Sequence, residues 1–385
     1  MMQIYLDNSA TTRPCEAAVE AMLKSMREDY YNPSALYAPA MQGEQILKDA
    51  AAAIGAAVGS DARHVVFTSG GTESDNLAIF GHMQLNRDGG DILYTAAEHA
   101  AVRLTCEEAA KRYGCTAREI PLTREGSVDL AALEEMLSEN TRMICVMQVC
   151  NETGVIMPIR EICQLRARIC PKAAIHVDGV QGFLRVPFSM KQLPVDSYAI
   201  SAHKFHGPKG VGALVWREGF RFKPMLIGGG QQNDRRSGTE NTVGIAGMGA
   251  AVKAFPADGA AHMLALKKQL VEALAAALPD MQVLGLPVED PCSAPHILNV
   301  AFPPVRAETL LHALEMDGII VGTGSACSSK KGKHSHVLTA MQCTPAVMES
   351  AIRISLCPEN TQQEMLQTAA AVIRQVEMLR RYVRR

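Results

Sequence analysis

The 385-residue chain is 48% hydrophobic and 20% charged with a formal net charge of -2, which suits a soluble globular protein with one large and one smaller domain and lacks a nucleic-acid footprint. Its eleven cysteines are odd in number and include no Cys-x-x-Cys pair, arguing against a disulfide framework or a zinc ribbon and for reduced thiols with no metal site. Met1 to Asp7 lacks a basic segment leading into an apolar one, and no uncharged apolar run approaches the ~18 residues that cross a bilayer, so a cytoplasmic protein with no membrane partner is expected.

Tyr5 to Thr12 is a polar, small-residue segment ending at Pro14, where a helix can begin; it reads as an arm laid over a site. Helices are predicted over 16–28, from the spacing of Ala18, Met22 and Met26, and over 42–58, with Tyr30-Tyr-Asn-Pro-Ser34 as the loop between. Strands at 65–67, 92–95, 143–149 and 174–177 then alternate with helices at 72–86, 102–113 and 159–169. This rhythm argues for a mostly parallel sheet covered on both faces, with ligands at the carboxyl ends of its strands.

The polar motifs fall at those ends. After Phe67 comes Thr68-Ser-Gly-Gly-Thr-Glu-Ser-Asp-Asn76, whose glycines would let backbone N–H groups approach a phosphate at a helix start; a capped turn is the plainer reading. After Thr95 comes Ala96-Ala-Glu-His-Ala100, after Val149 Cys150-Asn-Glu-Thr-Gly154, and after Val177 Asp178-Gly-Val-Gln181. Asp178 alone could be a helix cap. Four such ends in succession favour a cofactor site.

Strands at 195–200 and 211–216 flank Ser201-Ala-His-Lys-Phe-His-Gly-Pro-Lys-Gly210. Lys204 thus sits at a strand end facing a cleft, where burial and cationic neighbours could prepare it for a Schiff base with an aldehyde; a solvated surface lysine is the alternative. Gly228 to Asn241 is a glycine and arginine loop, either solvated or at a subunit boundary within reach of a phosphate. A helix at 241–255 ends at Pro256-Ala-Asp-Gly259, the best domain junction. Beyond it, helices at 261–278 and 307–316, strands at 297–302 and 352–356, and a closing helix from Thr361 form an α+β unit.

Within that unit Gly322 to His334 has no apolar periodicity and predicts a loop. Its Cys327 is followed by Lys330, Lys331, Lys333 and His334, which favour thiolate; the alternatives are a nucleophile or an unremarkable exposed thiol. Arg353 points opposite to Ile352 and Ile354 and could clamp a carboxylate or make a structural salt bridge.

Together Thr68 to Asn76, Glu98-His99, Asn151-Glu152, His176-Val-Asp178, Ser201-Ala-His-Lys204, Arg236-Ser-Gly-Thr239 and Gly324-Ser-Ala-Cys327 resemble the cysteine desulfurases of the NifS/IscS type, in the class V aminotransferase group of pyridoxal phosphate enzymes. The resemblance runs from Tyr5 to Ser355. It implies the PLP-dependent transferase fold type I, with a mostly parallel, seven-stranded-type sheet in a large PLP-binding domain at 14–257. A smaller α+β domain would combine 1–13 with 258–385. It also implies a homodimer that converts L-cysteine to L-alanine and leaves a persulfide on Cys327.

By the same resemblance Lys204 would anchor the cofactor and move the α-proton, Asp178 would pair with the pyridinium nitrogen, and His99 would stack on the ring and assist proton transfer. Asn151 and Gln181 would flank the phenolate oxygen; Gly71, Thr72, Ser201 and His203 would hold the phosphate, joined by Thr239 from the partner subunit. Arg353 and Asn32, with Asn151, would bind the substrate. The setting of Cys327 looks like the subgroup that passes sulfur to acceptor proteins for iron-sulfur cluster, tRNA thiolation or thiamine supply. Gln232-Asn-Asp-Arg235 departs from the more common Glu-Arg-Gly run. The rival readings are a selenocysteine lyase or other pyridoxal phosphate lyase of the same fold, and a non-catalytic sulfur-assembly scaffold.

Overall fold

A computed structural model describes residues 3–86, 89–323 and 334–383. The first elements are β1 (Ile4–Tyr5), α1 (Glu16–Arg27), α2 (Ala40–Val58), β2 (Val65–Thr68), α3 (Gly71–Met83), β3 (Asp91–Thr95), α4 (Ala100–Tyr113), β4 (Thr116–Ile120), α5 (Leu130–Met136) and β5 (Thr141–Met147). Next come α6 (Ile159–Ile169), β6 (Ala174–Asp178), β7 (Ser197–Ser201), β8 (Gly212–Trp216), α7 (Thr242–Ala254) and α8 (Gly259–Ala277). The chain continues with β9 (Gln282–Val283), β10 (Ile297–Ala301), α9 (Ala307–Met316), β11 (Ile319–Ile320), α10 (His336–Ala340), α11 (Pro345–Ser350), β12 (Ala351–Ser355) and α12 (Gln362–Val383).

Seven strands form the main sheet in the order β2-β8-β7-β6-β5-β3-β4, with only β8 antiparallel to its neighbours. The central strands β6 and β7 are buried along their whole length, as expected for parallel strands covered on both faces. One core cluster brings together Ile54, Ile144, Ile175, Ile200 and Met248, and another Leu77, Phe80, Tyr94, Cys106 and Leu214. Neighbouring residues of β5 supply both clusters, Ile144 to one and Cys145 to the other, because alternate side chains leave a strand on opposite faces. Glycines in the left-handed region end α2 at Gly59 (φ 67°) and α4 at Gly114 (φ 69°), the conformation a helix stop favours.

A separate core joins Ile4 and Leu6 to Leu270, Leu298, Ile354 and Val372. The N-terminal arm therefore packs with the C-terminal third: β1 pairs with β11 in parallel, and β12-β10-β9 form a small antiparallel sheet. The sequence reading left out β4 and α5. Of the β4 residues only Ile120 is buried, so this edge strand has no apolar run to mark it. No helix among the described residues is long and apolar enough to cross a membrane.

Candidate active site

The N-terminal arm meets Lys204 just beyond the end of β7, and Asp178 at the end of β6 and His99 after β3 lie within its electrostatic reach. The lysine lies in a single 3-10 turn, Ala202–Lys204, directly after β7. Its Nζ donates to the carbonyls of Ser9 (2.6 Å) and Ala10 (2.9 Å). Burial first, then the positive charges of Arg353 and Arg185, bring this amine down to about 8, against the pull of Asp178 and Asp7. A sizeable fraction is thus unprotonated and nucleophilic just above neutrality.

The arm is stitched to the lysine segment throughout. Thr12 N donates to the His203 carbonyl (2.8 Å), Thr12 Oγ1 accepts from His206 N (2.7 Å), and Thr11 Oγ1 meets His203 Nδ1 (3.1 Å). His203 is driven down to about 4, by burial first and then by Lys204, Lys209 and Arg185, so its ring is neutral and Nε2 is the atom that can meet an anion.

Asp178 ends β6, and its Oδ1 accepts from Val180 N (2.9 Å). Burial raises this carboxyl, with Val180 N–H, His99 and Lys204 opposing. His99 is the N-cap of α4 and accepts from Ala101 N through Nδ1 (3.1 Å), which places the proton of the neutral ring on Nε2. The ring has solvent-exposed surface, yet the protein packed around it lowers its pKa, with Lys204 adding to the effect and Asp178 opposing it.

The glycine turn after β2 opens α3. A Cβ on Gly71 would come within 2.7 Å of Val180 Cγ2, and one on Gly70 within 3.6 Å of Ser201 Oγ. The turn therefore presents bare backbone beside Ser201. The first N–H groups of the 13-residue α3, those of Gly71 and Thr72, have no acceptor within the helix, which suits them to an anion. The donor set thus fits a phosphate, and Lys204 with Asp178 fits an aldehyde-bearing ring with a basic nitrogen.

Arg353, 3% exposed on β12, divides its fork between Asp7 Oδ1 (Nη2, 2.7 Å) and the Asn151 carbonyl (Nη1, 2.9 Å). The structural salt bridge is thus present, and it ties β12 to the arm and to the loop after β5. Its Nε is buried without a partner among the described residues. Gln181 donates to the Ser9 carbonyl (2.9 Å) and accepts from Arg185 Nη1 (3.3 Å). Asn32 and Thr239 are exposed, and the Asn32 side chain accepts from Ser34 N (2.9 Å); no described contact joins either residue to Lys204. Cys327 and Lys330 to Lys333 lie outside the described residues.

Several supporting residues, some of them within the quoted motifs, had no role assigned to them from the sequence. Arg185, 1% exposed, donates to the Lys204 carbonyl and fixes the backbone of the lysine turn. Asp75 meets His176 Nε2 (3.1 Å), and His176 Nδ1 meets Ser197 Oγ (2.8 Å), behind Asp178. Burial raises the Asp75 carboxyl, with Asp178 and Glu98 adding to the rise, and burial lowers His176 to about 3. Ser335 Oγ donates to Glu152 Oε2 (2.5 Å), and His336 Nε2 meets the Glu98 carbonyl (3.1 Å). The available signal was adjacency: Glu98 and Glu152 each neighbour a residue already singled out.

The pattern of the family described as Aminotransferase class-V matches residues 4–367. A cysteine desulfurase of Cereibacter sphaeroides is 36% identical over 367 residues, covering 95% of this chain and 93% of its own. The cysteine desulfurase IscS of Methanosarcina thermophila is 36% identical, covering 98% and 93%. Among solved structures, a NifS-like protein superposes with a TM-score of 0.90 at 32% identity, covering 98% of this chain and all of the other.

Proposed function

The chain belongs to the class-V aminotransferase family and, within it, to the cysteine desulfurases, and from that membership we propose how its own residues carry the reaction. The family consists of pyridoxal phosphate enzymes. When bound, this cofactor supplies an aldehyde for a lysine amine and an electron sink for the substrate α-carbon.

In this reading Gly71, Thr72, Ser201 and His203 hold the phosphate, and Thr239 of the partner subunit completes the cradle in a homodimer. Asp178 would pair with the ring nitrogen, and Gln181 and Asn151 would hydrogen-bond the phenolate oxygen. His99 would stack on the ring and, with its proton on Nε2, could hand that proton over. Lys204 would anchor the cofactor through its amine and would take the substrate α-proton. Arg353 binds the L-cysteine carboxylate together with Asn32 and Asn151. Cys327 thiolate would attack the substrate sulfur: the new S–S bond forms as the C–S bond breaks, the bonding pair passes to the β-carbon, which takes up a proton, and Lys204 returns the α-proton, leaving L-alanine and a Cys327 persulfide. The persulfide sulfur then goes to an acceptor protein. Residues 14–257 would form the large cofactor domain, and 1–13 with 258–385 the small one.

The observation that carries this reading is the setting of Lys204 directly after β7, its amine buried and held by the Ser9 and Ala10 carbonyls, with burial and the Arg353 and Arg185 charges lowering it against the pull of Asp178. It is tested by supplying L-cysteine and a reductant and measuring alanine and sulfide. Cys327→Ala is expected to keep the cofactor chromophore and lose sulfide release; undiminished sulfide release would overturn the role of Cys327.

A further inference from the structure

The Gln232 to Arg235 run, where the sequence departs from its family's habit, has an unusual geometry. Gln232, Asn233 and Asp234 follow one another in the left-handed region, at φ 51°, 55° and 59°, where none of them is glycine and each is strained. The side chain of Gln232 accounts for how the turn is held. Its Oε1 accepts from Phe67 N (2.6 Å) and its Nε2 donates to the Phe67 carbonyl (2.9 Å). β2 is an edge strand of the seven-stranded sheet, so a single amide side chain substitutes there for the next strand.

The turn sets the course of the segment after it. Arg235 stacks over Phe222 at 4.9 Å, and Gly238 N donates to Gln231 Oε1 (2.8 Å). Between them Arg236 Nε reaches Glu73 Oε1 (2.9 Å) in the first turn of α3, while Glu73 Oε2 accepts from Ser69 N (2.7 Å). Glu73 would otherwise present an unpaired negative charge beside the Gly71-Thr72 backbone, where a phosphate dianion is to bind. Burial pushes the Glu73 carboxyl up, but the hydrogen bonds from Arg236 and Ser69 outweigh it and hold it below its usual range.

We propose that Gln232 is a positioning residue for phosphate binding: by clamping the turn onto the edge of β2, it delivers Arg236 to Glu73 and neutralises the acid beside the cradle. The inference rests on the reading of Gly71 and Thr72 as a phosphate cradle.

The test strips the cofactor from the wild-type enzyme and from Gln232→Ala, Arg236→Gln and the double variant. Each is then titrated with pyridoxal phosphate and with pyridoxal, which lacks the phosphate, following the visible chromophore. Gln232→Ala is expected to bind pyridoxal phosphate about tenfold more weakly, to bind pyridoxal as the wild type does, and to add nothing to Arg236→Gln in the double variant. Unchanged affinity for pyridoxal phosphate, an equal loss for pyridoxal, or additive losses in the double variant would each overturn the proposal. A wild-type protein that forms no chromophore would instead remove the cofactor reading beneath it.

Discussion

Glu98 illustrates how far a single residue can stand from its ordinary chemistry. Its Oε1 accepts from Thr95 Oγ1 and Met147 N, each at 2.7 Å, so the turn bearing His99 is tied to the end of β5. Its Oε2 is buried without a partner among the described residues. Burial raises the carboxyl to about 8, with Asp178 adding to the rise against those two hydrogen bonds. Between the ordinary carboxyl pKa and that value, the unfolded chain releases a proton that the folded protein keeps. Stability therefore falls as pH rises through this window, by at most about 5 kcal/mol. Glu98→Gln, which mimics the protonated acid, is expected to gain thermal stability relative to wild type as pH goes from about 5 to 8. A difference in melting temperature that does not vary with pH would contradict this account. Lys204 and Asp178 were legible because charged side chains at the ends of apolar strands stand out in the sequence. The acceptors that hold Lys204 were not, because Ser9 and Ala10 act through backbone carbonyls, and any residue type carries one of those.

At the scale of elements, the alternation of strands and helices conveyed the sheet, its mainly parallel sense and the strand ends as the site. Sequence periodicity could not supply the strand order, since it contains no information on which buried strands become neighbours. Nor could it show how the segments flanking 324–333 are tied down. On one side Gly322 and Arg353 exchange backbone hydrogen bonds of 2.9 and 2.7 Å. On the other, Ser335 caps α10 by accepting from Leu338 N (3.1 Å) while donating to Glu152. Asn299 of β10 donates to the Glu152 carbonyl as well (3.1 Å), so one strand-end residue clasps the small sheet and the start of α10 together. Ser335→Ala removes a cap and strips a buried carboxyl of its donor, and is expected to cost about 2 kcal/mol in urea denaturation. An unchanged unfolding midpoint and slope would show that the clasp carries no stability.

For the whole molecule, the N-terminal arm is the joining piece: Ile4 and Leu6 belong to the C-terminal core, while Ser9 to Thr12 bind the lysine segment of the main sheet. The arm was legible as a cover over a site, but its packing into the C-terminal core was not, since those contacts span more than 300 residues of chain. Leu36, Met41 and Ile227 are large apolar side chains left exposed. The central claim is that this assembly exists to hold an aldehyde cofactor on Lys204. Borohydride reduction of the holoenzyme followed by peptide mapping tests it most directly, and Lys267 offers an internal control. That second buried lysine, lowered to about 7 chiefly by burial, is occupied with Ser293 Oγ (2.8 Å) and the Ala294 carbonyl (2.9 Å). The account predicts a reduced pyridoxyl group on Lys204 alone; a pyridoxyl group on Lys267, or on no lysine, would contradict it.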